Sequence, residues 1–64
     1  MRKGNLIKAE INYPNNPKLN GIYIGRVIQL GCFRSGFAYF KLDCKPDLAL
    51  PNSKKYTKIQ ILRR

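Results

Sequence analysis

Histidine is absent from this 64-residue chain, and it holds only two cysteines and three carboxylates. Each shortage removes a class of chemistry. Without histidine, a serine or cysteine nucleophile lacks its usual general base. Cys32 and Cys44 alone cannot complete a four-ligand zinc site. Glu10, Asp43 and Asp47 stand in separate segments, so they form neither an acid–base pair nor a two-metal cluster. No Walker-type phosphate loop occurs either. The expectation is a protein that is not an enzyme and takes no metal or cofactor.

Two thiols are also too few for the disulfide framework of a small secreted domain. With Cys32 in a turn and Cys44 at the end of the next strand, strand rise separates them by roughly 20 Å. Both therefore read as reduced. The opening "MRKGNLIKAEI" is basic but lacks the apolar run of a signal peptide. No segment approaches the ~20 apolar residues of a membrane span, and the apolar residues do not recur at helical spacing. These features together predict a cytoplasmic protein with no membrane partner.

Positive charge is what the chain has in excess. Thirteen Lys and Arg residues give a formal net charge of +10. Self-repulsion on that scale is relieved by a polyanion, with nucleic acid the first candidate and an acidic protein surface the second. The length allows one domain, residues 1–64, as a monomer or as half of a homodimer. So short a chain buries only about 60% of its unfolded surface, and a single core of this size rarely supplies more than ~3–5 kcal/mol.

The hydrophobic period is two almost throughout. In "LIKAEINY" (6–13), Ile7, Ala9, Ile11 and Tyr13 share one face, as in a half-buried strand. "PNNPKLNG" (14–21) is loop chemistry. "IYIGRVIQL" (22–30) and "FAYFKLDC" (37–44) read as strands joined through "GCFRS" (31–35). "KPDLALPNSK" (45–54) reads as a loop with room for one helical turn at "DLAL". "YTKIQIL" (56–62) alternates again, with Thr57, Ile59 and Ile61 inward. The predicted fold is all-β: a four- to five-stranded antiparallel barrel, SH3-like or OB-like, whose closure removes exposed edges.

Pairing Leu30 with Gly36 places Ile22, Ile24, Arg26 and Ile28 on a core face with Ala38, Phe40 and Leu42. The outer face then carries Tyr23, Gly25, Val27 and Gln29 opposite Asp43, Lys41, Tyr39 and Phe37. Rings and cations on one sheet face suit a single-stranded nucleic acid, whose bases stack on the rings while cations hold the phosphates. "GFAYFKL" (36–42) resembles the RNP1 strand of RNA-recognition and cold-shock domains, and "IYIGRV" (22–27) is similar to the RNP2 strand of RNA-recognition domains. The resemblance implies that Phe37, Tyr39 and Tyr23 are stacking rings. It departs from the pattern at Ser35, Phe40 and Leu42.

The expected interface is therefore Tyr23, Phe37 and Tyr39 for bases, with Arg34, Lys41, Lys54, Lys55 and Lys58 for phosphates. The absence of a recognition helix favours single strands over duplex. The alternative is a small basic regulator or inhibitor, of the kind a phage encodes, docking on an acidic surface of a host protein or nucleic-acid enzyme. A subunit neutralised only within a larger assembly fits the charge as well.

Overall fold

Alternation places the first strand where the sequence does. The computed structural model describes residues 1–64, and β1 (Leu6–Ile11) buries Ile7, Ala9 and Ile11 while Leu6, Lys8 and Glu10 face outward. After it the chain loops through Tyr13–Asn20, including a single 3₁₀ turn at Pro17–Leu19. The Tyr13 N–H donates to Asn20 Oδ1 at 2.7 Å, which closes the neck of this loop. β2 (Gly21–Cys32), β3 (Ala38–Leu42), β4 (Lys45–Pro51) and β5 (Thr57–Arg63) follow. No helix is long and apolar enough to cross a membrane.

The five strands form one antiparallel sheet in the order β4-β3-β2-β1-β5. β2 is shared: residues 21–26 pair with β1, and residues beyond Val27 pair with β3. No ladder joins β4 to β5, so the sheet keeps two edges where closure was expected. The segment between them is held by single bonds instead. Thr57 Oγ1 donates to Pro51 O at 2.6 Å, and the Thr57 N–H donates to Ser53 O at 2.8 Å.

The core is Ile7, Ala9, Ile11, Val27, Phe40, Leu42 and Leu50, drawn from the first four strands. Phe40 is its largest fully buried side chain, and its register partners are Leu30 on β2 and Leu50 on β4. No buried side-chain polar atom lacks a hydrogen-bond partner.

Two expectations about β2 are corrected. First, the hairpin turn falls two residues later than predicted. The Phe33 N–H donates to Phe37 O at 2.8 Å and the Gly36 N–H to Phe33 O at 2.9 Å. Gly36 supplies the positive φ of 90° that this turn needs. Leu30 consequently pairs with Phe40, not with Gly36. Second, the register shifts between Val27 and Gln29, leaving Ile28 as an extra residue. Such a bulge reverses the inside–outside parity of a strand. Before it Tyr23, Gly25 and Val27 point inward and Ile22, Ile24 and Arg26 are exposed; after it Leu30 and Cys32 share the inner face with Phe40 and Ala38.

Arg26, expected on the core face, instead reaches along the surface, and its Nη1 donates to Gly4 O at 2.8 Å. Gly25 is glycine for want of room. A Cβ there would lie 2.5 Å from Asp43 Oδ1, the atom that accepts the Arg26 N–H at 2.9 Å.

The segment 45–51 is a strand and not a loop with a helical turn. Pro46 and Pro51 are tolerated because β4 is an edge strand and has only one neighbour to satisfy.

Candidate nucleic-acid interface

The β2–β3 hairpin carries four of the expected residues, Arg34, Phe37, Tyr39 and Lys41. On its outer face Gln29 stands opposite Lys41 and Gly31 opposite Tyr39. The Tyr39 ring lies across Gly31 so closely that a Cβ there would meet its Oη at 2.7 Å. Gln29 Nε2 donates to the Tyr39 Oη at 2.9 Å. Phe33, which falls within the segment read as the joining loop, stacks on Tyr39 with centroids 4.7 Å apart and planes at 30°. Tyr39 is thus half-buried and held in orientation from three sides.

Phe37 falls in the turn and not on β3. It and Phe33 are each 52% exposed, which leaves much of both rings to solvent. Arg34 is exposed between them in sequence. Phe33 and Phe37 also line a cleft of about 220 Å³ with Tyr13, Leu19 and Pro51. That volume is below the ~300–1,000 Å³ of ordinary small-molecule pockets.

Tyr13 extends the aromatic surface beyond the hairpin. Its ring meets Tyr56 edge-on, with centroids 5.1 Å apart and an interplanar angle of 81°. The Asn12 N–H donates to Tyr56 O at 2.8 Å, which fixes this junction of β1 with the turn before β5. Lys55 Nζ sits 5.4 Å from the Tyr56 centroid, within the range of a cation–π contact. A stack thus links Tyr39 to Phe33, the shared cleft links Phe33 to Phe37 and Tyr13, and the edge contact links Tyr13, which also packs against the core, to Tyr56; these five rings form the aromatic row. Arg34 follows Phe33 in the hairpin turn, Lys41 lies on the outer face of β3 two residues from Tyr39, and Lys54 and Lys55 directly precede Tyr56 in the chain.

Two expected members lie elsewhere. Tyr23 faces inward opposite Ala9 and packs against the core. Its Oη donates to Leu19 O at 2.8 Å, so it braces the loop that contributes Leu19 to the cleft. Tyr23→Phe should cost about 1 kcal/mol of stability through that bond and change oligonucleotide affinity no more than about threefold. Urea titration and anisotropy measure the two effects. Lys58 lies on the outer face of β5 opposite Glu10, with β1 and β2 between it and β3.

Sequence reasoning missed Tyr13, Phe33 and Tyr56 as members of the row. The Phe33 stack depends on where the turn falls, and the Tyr13–Tyr56 contact joins opposite ends of the chain with no local signal. No Lys or Arg side chain hydrogen-bonds to a carboxylate; the Asp43 carboxylate is met by the backbone N–H of Arg26. No group of three or more His, Cys, Asp or Glu side chains gathers anywhere in the molecule. Among known proteins the chain finds no match: no family model, no curated protein and no solved structure.

Proposed function

We propose that this chain binds single-stranded RNA or DNA without catalysis, stacking bases on the row of rings and pairing phosphates with the cations beside it. Continuity of the row carries this reading: a 4.7 Å stack, a shared cleft and a 5.1 Å edge contact link rings from β3, the hairpin turn, the β1–β2 loop and the β5 approach. From Ile11 to Leu42 there is no carboxylate to repel a phosphate. Single strands present unstacked base faces to such rings, whereas a duplex hides them.

The fold that goes with this proposal is a small barrel of the SH3-like kind, open at one seam. It is preferred to an OB-like Greek key because all neighbouring strands except β1 and β5 are consecutive in the chain. The exposed free thiols Cys32 and Cys44 fit a reducing, cytoplasmic setting.

Salt dependence tests the phosphate half of the proposal. Each phosphate neutralised on a single strand contributes ~0.7 to the slope of log K against log salt. Arg34→Gln with Lys41→Gln should lower that slope by about 1.4 for a labelled oligonucleotide. An unchanged slope and affinity would remove the hairpin from the interface.

A second function, a basic regulator docking on an acidic protein surface, is favoured by one separate feature. Ile22 and Ile24 are exposed on the outer face of β2, opposite Glu10 and Lys8 respectively, and the aromatic row does not use them.

A further inference from the structure

The two free edges of the sheet are not equivalent. Pro46 and Pro51 lie on β4 and offer no N–H to a new neighbour. β5 contains no proline. The bond from the Asn12 N–H to Tyr56 O sets the phase of the β1–β5 ladder. Alternation then directs the backbone groups of Lys58 and Gln60 to β1, and turns the N–H and C=O of Ile59 and Ile61 toward the open edge.

Beside that edge lies an apolar groove of about 630 Å³. Ile59 and Ile61 line one side, and Leu30, Cys32 and Ala38 of the hairpin line the other. Leu30 is 43% exposed and Ile61 42%, although both belong to the inner face. The groove is the unfilled seam between the two halves of the sheet. An added strand would satisfy the backbone of β5 and place every second side chain in this seam.

Charge selects the occupant. Lys54, Lys55, Lys58, Arg63 and Arg64 border β5, and no carboxylate occurs after Asp47. A second copy of the chain would bring the same cations to the same edge and be repelled.

We propose that the free edge of β5 is a strand-addition site for an extended, acidic segment of a partner protein, whose alternate apolar side chains enter the groove beside Ile59 and Ile61. The groove adjoins the aromatic row, because Tyr39 also lines it, but the proposal does not depend on the nucleic-acid reading.

Cys32 reports on the groove directly, because it is exposed and lines it. In the otherwise intact Cys44→Ser protein, the probe is an end-capped eight-residue peptide of alternating valine and glutamate. A peptide of the same composition with its valines in one block is the control. The alternating peptide should slow alkylation of Cys32 at least tenfold at saturation, and the block peptide should not.

Ile61→Pro removes an outward N–H while sparing the bonds to β1, and should abolish the protection with the circular dichroism spectrum unchanged. Should proline disturb the strand, Leu30→Glu places a carboxylate in the groove and should weaken binding of the acidic peptide at least tenfold. Protection that is absent, equal for both peptides or insensitive to both variants overturns the proposal. Protection that grows with protein concentration without any peptide also overturns it, in favour of self-association.

Discussion

Phe37→Ala combined with Tyr39→Ala is expected to weaken binding to single-stranded oligonucleotides by at least about 30-fold, with the salt slope nearly unchanged. A base–ring stack is worth ~1–3 kcal/mol by alanine substitution, so two lost stacks exceed ~2 kcal/mol. The rings differ in what they lose. Phe37 is half exposed and supports little else, so its removal acts mostly on the ligand. Tyr39 also anchors Phe33 and Gln29, so its removal frees a second ring. The salt slope should hold because neither side chain carries charge. Both rings lie outside the buried core, and circular dichroism should show a folded variant. A folded double variant with wild-type affinity would mean that the rings do not stack bases.

The largest effect on stability is expected from Phe40→Ala, which should leave the chain mostly unfolded at 25 °C. Phe40 is fully buried between Leu30 and Leu50 in the β2–β3–β4 register. Large-to-small replacement of a core Phe costs ~3–5 kcal/mol. A single core in a chain of this size supplies about the same amount in total. Loss of amide dispersion in an NMR spectrum, with loss of the far-ultraviolet strand signal, is the expected observation. A cooperatively folded variant destabilised by less than ~1 kcal/mol would show that the core is centred elsewhere.

The sequence made β1 and β5 legible as strands because each alternates cleanly, although of the expected inner face of β5 only Thr57 is buried, Ile59 is half-buried and Ile61 is exposed. Phe40 was legible as core for the same reason. β2 was harder to read, since Ile22, Ile24 and Val27 put apolar side chains on both faces and nothing local marks Ile28 as the extra residue. The bulge reversed Tyr23 and Arg26 together. β4 was read as a loop because two prolines normally exclude a strand, a rule that an edge position relaxes. At the interface, Tyr39 and Lys41 were placed correctly on the outer face of β3. The exposure of Phe37 and the stack on Phe33 depend on a two-residue shift of the turn, which Gly36 permits but does not announce.

The same two prolines and the bulge shape the open seam. β4 ends the sheet as an edge that cannot donate at Pro46 or Pro51, and the bend of β2 carries the hairpin's inner face to one wall of the groove. The aromatic row and the groove are thus neighbouring products of one strand order and share Tyr39. With Lys54 and Lys55 engaged at the row by nucleic acid, Lys58, Arg63 and Arg64 would still leave the β5 edge basic.

The most direct measurement of the central claim is fluorescence anisotropy with labelled single-stranded RNA, single-stranded DNA and duplex DNA, each across a salt series. The expected result is a preference for single strands that persists after salt has weakened the phosphate contacts, because stacking on the Tyr39–Phe33–Phe37–Tyr13–Tyr56 row is insensitive to salt. Equal and weak binding to all three, vanishing together at modest salt, would contradict stacking and leave only the charge of the chain to account for binding.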